Sequence, residues 1–177
     1  KDDRDFLISK IMDSDGVIFG SPVYVMHVTS IFKNMVDRFA FICHRPRFFK
    51  KPAMVVSTTA AWGLKDPLKY MAGVANVWGF KVVSKLGLRT PPYIDSLDKQ
   101  KNKIESETLK FYKSLKNRDK ITPTTMQVVQ FYAQRRIFGD PQLKDIMPRD
   151  YIFFNNEVGK YYFTDSLKVS LSKRMLG

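Results

Sequence analysis

Three short apolar runs, each closed by small or turn-forming residues, punctuate the first half of the chain. Val17 to Phe19 enters Gly20-Ser21-Pro22. Ala53 to Ser57 follows Lys51-Pro52 and ends in Thr58-Thr59-Ala60-Ala61-Trp62-Gly63. Phe80 to Leu86 follows Gly79 and precedes Arg89-Thr90-Pro91-Pro92. Continuous apolar runs of this length between turn signals predict strands buried on both faces. Between them the pattern is helical. Asp5 to Ser14 predicts a helix leading straight into Val17, and the segment after the Gly-Ser-Pro turn predicts another. Leu68, Met71, Ala72 and Ala75 recur at helical spacing, with Asp66 as the expected N-cap, Pro67 at the first helical position and Gly79 as the C-terminal glycine. Asp95 is the expected cap of a long polar helix, Ser96 to Asn117, with Ile104, Phe111 and Leu115 on one stripe.

Helices alternating with buried strands argue for an α/β fold, a parallel sheet with helices on both faces and right-handed crossovers. Such folds place their ligand sites in the loops at the carboxyl ends of the strands. Two loops, after Phe19 and after Ser57, are therefore the candidate site. Lys81 and Lys85 bracket the third strand and mark it as an edge protected from sticky pairing. The chain divides at about residue 120. Residues 1–120 carry the α/β pattern, and residues 121–177 form a helical extension that Thr122-Pro123 opens and Gly139-Asp140-Pro141 interrupts. This extension is dense in aromatics: Phe131, Tyr132, Phe138, Tyr151, Phe153, Phe154, Tyr161, Tyr162 and Phe163. So much apolar surface needs cover. The cover is either the same domain or a second subunit, and a homo-oligomer is the expectation.

Composition narrows the function. No apolar run approaches the length of a membrane span, and Lys1-Asp2-Asp3-Arg4-Asp5 is no signal peptide, so a cytoplasmic protein is expected. The net charge is +13, spread along the chain: residues 1–88 hold 13 Lys/Arg against 7 Asp/Glu, and residues 89–177 hold 17 against 10. That field serves solubility or steers an acidic partner or anionic cofactor. The one cysteine, Cys43, excludes an internal disulfide and any multi-cysteine metal site, and it is expected to act as a small buried hydrophobe. His27 and His44 are the only histidines. No zinc pattern and no nucleophile–base pair stands out, so neither catalytic nor metal-ligating residues are assigned. His27 is expected to face solvent. His44 to Lys51 interleaves bases with aromatics like a nucleic-acid patch, but it joins a helix to the start of a strand, away from the candidate site. Phe48 and Phe49 are expected to anchor it to the core, and no nucleic-acid partner is expected.

Ser21-Pro22-Val23-Tyr24, with its strand before it and Lys33 and Asp37-Arg38 after it, resembles the flavin-contacting segment of the flavodoxin-like NADPH-dependent FMN reductases, in the branch that includes the iron–sulfur flavoproteins. The resemblance covers residues 1–88 well and 89–120 loosely. It implies a flavodoxin-like sheet, here lacking the first βαβ unit and with it the loop that holds the FMN phosphate. It implies that Ser21, Pro22, Val23 and Tyr24 contact the flavin from one loop and Thr58, Thr59, Ala60, Trp62 and Gly63 from the other. In this reading Pro22 fixes the backbone, Val23 and Tyr24 supply an apolar wall, and Ser21 caps the turn. Family members carry a glycine-richer second loop; here Ala60 and Ala61 stand where glycines are expected, with Gly63 retained.

The implied activity is an FMN-dependent oxidoreductase, taking electrons from NAD(P)H or an acidic protein such as ferredoxin and reducing flavin, quinone or another small acceptor. Flavin chemistry needs no protein acid or base, because the cofactor carries the hydride or electrons. Any iron–sulfur cluster is confined by this resemblance to a segment ahead of Lys1. Two other readings stand beside it. One is a flavodoxin-like electron carrier, against which the sequence pI of about 9.8 weighs. The other is a non-enzymatic basic binding module.

Overall fold

A computed structural model describes residues 2–91 and 97–157. Its centre is a parallel sheet of three strands, β1 (Val17–Pro22), β2 (Pro52–Thr59) and β3 (Lys81–Arg89), in the order β1-β2-β3. Val17 pairs with Ala53 and Pro22 with Thr58; a bulge at Ala53/Met54 shifts the β2–β3 register. All three strands run longer than their apolar cores predict. β1 carries Gly20, Ser21 and Pro22 in its ladder rather than in a turn. Pro22 costs little there, because it is the last residue of a strand with no partner on its other side among the described residues.

Helices α1 (Arg4–Asp13), α2 (Ser30–Arg38) and α3 (Lys65–Val77) share the core on one face of the sheet. Phe19, Phe39, Phe48, Val55, Met71, Trp78 and Phe80 are buried there. The Phe19 ring meets those of Phe32, Trp78 and Phe80 edge-on at 5.4–6.2 Å. The long helix α4 (Leu97–Lys116) covers β2 and β3 on the other face, where Met54, Leu86 and Phe111 are buried and Leu115 packs beside them. Ile104 departs from the expected buried stripe and is 40% exposed. Asp95 and Ser96, the expected cap and start of α4, lie outside the described residues.

Capping accounts for some helix ends: Thr29 caps α2, while α1 and α3 start without a side-chain cap. Gly79, at φ 105°, follows α3: its N–H reaches the Asn76 carbonyl and the Phe80 N–H reaches that of Ala75, the paired bonds of a Schellman motif. Asp66 is not the N-cap. The helix starts at Lys65, with Leu64 at the cap, and Asp66 sits in the first turn, where its charge still suits the helix dipole.

Helix α5 (Thr125–Phe138) starts at a capping box formed by Thr124 and Gln127 rather than at Thr122-Pro123. It is followed by the short helix α6 (Pro148–Ile152) and a π turn, Phe153–Glu157. Phe131, Phe153 and Phe154 are buried together, with Phe49, Tyr132 and Phe138 against them, and His44 stacks on Phe138 at 4.9 Å. The buried Gln127 amide donates to the carbonyls of Asn76 and Phe80, both at 3.0 Å, and Gln134 donates to the Cys43 carbonyl. This part of the extension, expected to grip a second subunit, therefore packs on its own chain. Tyr161, Tyr162 and Phe163 lie outside the described residues. Phe48 and Phe49 anchor the basic loop as expected, whereas Cys43 is only half-buried. No helix among the described residues is long and apolar enough to cross a membrane.

Candidate functional site

The loops leaving β1 and β2 meet at the carboxyl end of the sheet. They are held there by short-range chemistry that their sequences make available. The Val23 N–H donates to the Thr58 carbonyl at 2.8 Å. The Ser57 hydroxyl, fully buried, donates to the Ser21 carbonyl at 2.9 Å. Ser21 is buried as well: its hydroxyl donates to the Pro22 carbonyl and accepts the Thr29 N–H, both at 3.0 Å, which closes the loop on itself. Thr59 does the same for the second loop, donating to the Trp62 carbonyl at 2.7 Å and accepting the Ala61 N–H at 3.3 Å. The Thr90 N–H reaches the Thr59 carbonyl at 2.8 Å and ties the end of β3 to both. Buried hydroxyls satisfied in this way rigidify a loop that would otherwise be mobile.

The first loop differs from its expected form. No helix begins directly after Pro22. Tyr24 and His27 exchange both backbone hydrogen bonds, at 2.9 and 3.0 Å, around Val25 and Met26, whose φ values are 47° and 67°. Positive φ at both central positions marks a type I′-like turn. For β-branched Val25 it is a strained conformation, of the kind concentrated at ligand clamps. Helix α2 begins only at Ser30, where Thr29 caps it by accepting the Phe32 N–H. Thr29-Ser30 carries a recognisable capping signal; the turn before it does not, because nothing in Val-Met announces left-handed backbone.

The hydrogen bonds face inward and the large apolar groups face out. Tyr24 is 65% exposed, Val25 98% and Trp62 74%, with Pro22, Met26, Ala60 and Ala61 also exposed. Val23, Thr58 and Gly63 are half-buried between the loops. Gly63, at φ 91°, stands where the loops touch: a Cβ there would lie 3.0 Å from Met26 Sδ and 3.1 Å from Val23 Cγ1. All nine residues expected from the sequence thus lie on one rigid loop pair. Ser21 and Thr59 are placed to position it, Tyr24 and Trp62 to present a surface.

Around this pair stand residues that the sequence singles out and some that it does not, Tyr70 and Gln100 among the latter. His27, exposed as expected, sets its ring edge-on to Tyr70 at 4.7 Å. Burial pushes the Tyr70 phenol above its ordinary range, against a smaller downward pull from Lys33. Lys33 and Asp37 form an i,i+4 ion pair on α2, and Arg38 pairs with Asp2. These exposed pairs each contribute little to stability. Beside Thr58, a cavity of about 540 Å³ opens between Leu88, Thr90, Gln100 and Ile104. The Gln100 side-chain amide there makes both hydrogen bonds to the Arg89 backbone, at 2.9 Å each.

Exposed Tyr24 and Trp62 on a hydrogen-bonded backbone offer apolar contact, which a planar heteroaromatic ring needs more than charge. Among the described residues no group of three or more His, Cys, Asp or Glu stands together as metal ligands do.

Comparison with known proteins bears on the same region. Residues 1–89, half of the chain, match the model of a family described as NADPH-dependent FMN reductase. An iron–sulfur flavoprotein of Clostridioides difficile is 27% identical over 146 residues, covering 82% of this chain and 64% of that protein. An iron–sulfur flavoprotein of Archaeoglobus fulgidus is 35% identical over 80 residues, covering 45% and 36%. The chain therefore spans less than two-thirds of the length of either relative.

Proposed function

The chain belongs to the NADPH-dependent FMN reductase family, and on that premise we propose that it is the flavin-contacting part of an FMN-dependent oxidoreductase. The observation that carries this reading is the loop pair: Val23 bonded to Thr58, and Tyr24 and Trp62 exposed beside them at the carboxyl ends of two adjacent parallel strands. FMN, when bound, supplies the redox chemistry. Pro22, Val23 and Tyr24 would hold the ring from one side and Thr58, Ala60, Trp62 and Gly63 from the other, with buried Thr59 holding the second loop in shape through Ala61 and Trp62. Ser21 holds the first loop in shape through Thr29. The overall positive charge favours attraction of an anionic cofactor and an acidic donor.

The donor in this proposal is NAD(P)H or a reduced acidic protein such as ferredoxin, and the acceptor is flavin, quinone or another small oxidant. The two relatives are named iron–sulfur flavoproteins; with one cysteine, residues 1–177 cannot supply the cysteine ligands of such a cluster. We further propose a homo-oligomer. Phe49 and the described aromatics of the extension are occupied within the chain, so a subunit contact would fall on other surfaces. A visible absorption spectrum of the purified protein with FMN, followed by turnover with NADPH and a quinone, tests the reading. Bound flavin with turnover supports a reductase. Bound flavin reduced by a protein donor but idle with NADPH favours the electron-carrier reading. No flavin binding refutes both.

A further inference from the structure

Helix α4 is fastened to β3 in a way that leaves a gap beneath its first turns. β3 ends the sheet on that side among the described residues, and three side chains on one flank of α4 take up its polar groups. Gln100 bonds both the N–H and the carbonyl of Arg89, at 2.9 Å each. Lys103 donates to the Gly87 carbonyl at 2.6 Å. Glu107 accepts the Ser84 hydroxyl at 2.7 Å and the Lys85 N–H at 3.3 Å. Their spacing, i, i+3 and i+7, keeps all three on one flank. These bonds set the height of the helix over the sheet. Its apolar stripe then fills the space at one end only. Phe111 reaches the core and is 8% exposed; Ile104, two turns nearer the start of α4, does not and is 40% exposed. The space left is the cavity of about 540 Å³ beside Thr58. Closing it by settling α4 onto the sheet would break the bonds of Gln100 and Lys103.

The volume falls in the range of about 300–1,000 Å³ that small-molecule sites occupy. Ile104 on the helix and Leu88 on the strand supply apolar walls on opposite sides. A slot between a helix and a sheet admits a flat molecule. The charged side chains on the lining, Arg89, Asp98, Lys101 and Glu105, carry both signs, so no field of one sign selects an ion. Thr58 adds a polar atom. Its hydroxyl is in no hydrogen bond among the described residues, while its backbone carbonyl holds the Val23 N–H. An apolar slot with a few fixed polar groups is the usual form of a small-molecule site.

We propose that this cavity binds an uncharged, flat aromatic carbonyl compound, with its ring between Leu88 and Ile104 and its carbonyl oxygen accepting from the Thr58 hydroxyl. The cavity lies on the α4 face of the sheet. The loop pair leads instead into α2 and α3, on the opposite face. The inference does not depend on the flavin reading, and its test reads binding with no flavin present.

The test is equilibrium dialysis of the protein against coumarin, a bicyclic aromatic lactone, and against coumarin-3-carboxylate, its anionic analogue. The coumarin measurement is repeated with FMN at saturation. Saturable binding of coumarin, stronger than that of the carboxylate and not displaced by FMN, is expected. Ile104→Trp fills the slot and should weaken coumarin binding roughly tenfold or more, by steric exclusion. Thr58→Val keeps the shape and removes the donor, and should weaken it roughly threefold to tenfold. Thermal melts of the ligand-free variants check folding; if Ile104→Trp does not fold, Thr58→Val carries the comparison. Absence of saturable coumarin binding would overturn the proposal. So would equal or tighter binding of the carboxylate, displacement by FMN, or parental affinity in the variants.

Discussion

Replacing Gly63 with alanine tests whether the two loops are built as one unit. Gly63 has φ 91°, outside the left-handed region that other L-residues can reach cheaply. Forcing a Cβ into such backbone costs about 1–2 kcal/mol. The new methyl would also stand 3.0 Å from Met26 Sδ and 3.1 Å from Val23 Cγ1. The Met26 thioether is flexible and yields; Val23 is held by its N–H bond to the Thr58 carbonyl and does not. The expected loss is therefore about 2 kcal/mol, or about 4–8 °C in Tm for a chain of this size. Gly73→Ala in α3 is the control. A Cβ there meets nothing within 4 Å, and the change should stabilise by about 0.5–1 kcal/mol through helix propensity. Urea denaturation measures both variants, and flavin fluorescence measures FMN affinity. Gly63→Ala should lose stability and affinity together, because the displaced Met26 turn carries Tyr24 with it. A Gly63→Ala protein as stable as the parent, or one that binds FMN equally well, would refute the coupling of the loops.

Three further perturbations read other parts of the account. Ser21→Ala leaves the Thr29 N–H without its acceptor at the entrance to α2, and should cost about 1–3 kcal/mol in urea denaturation with weakened FMN binding. The Glu107 carboxyl is held below its ordinary value of 4.5, chiefly by Lys110, with the Ser84 hydroxyl and Lys85 N–H adding to the effect against its partial burial. Its stabilisation is thus complete above that value and is lost as pH falls through the lower folded-state value. Glu107→Gln should flatten the decline in Tm seen below about pH 4.5, and parallel melting curves for variant and parent would contradict this. Phe153→Ala, at a fully buried position in the extension, should cost about 3–5 kcal/mol at unchanged oligomer mass in size-exclusion chromatography; a change of mass without a change of stability would put the aromatic cluster between subunits instead.

The α/β architecture is legible in the sequence because its strands are continuous apolar runs and its helices keep a regular stripe. Gly79 signals its Schellman cap for the same local reason. What escapes is whatever depends on partners distant in sequence. Gly20 to Pro22 reads as a turn but is strand, because Pro22 pairs in register with Thr58. The Val25-Met26 turn is set by closure of the loop through Ser21 and Thr29, not by residues that prefer positive φ. The aromatic extension resembles an interface in composition, yet its cover comes from Phe49, His44 and the backbone carbonyls of Asn76, in the last turn of α3, and Phe80, just after it, which Gln127 reaches from about fifty positions along the chain. The placement of the candidate site is a simpler matter. Its nine residues sit on two contiguous segments, and a parallel sheet brings the carboxyl ends of adjacent strands together whatever the rest of the chain does. The division of labour within it, with Ser21 and Thr59 inward and Tyr24 and Trp62 outward, required the structure.

A crystal structure of the protein with FMN bound tests the central claim most directly. The account predicts the isoalloxazine ring between the Ser21–Tyr24 and Thr58–Gly63 segments, covering Tyr24 and Trp62, which are exposed without it. A flavin ring bound away from both loops, with Tyr24 and Trp62 still in solvent, would contradict it.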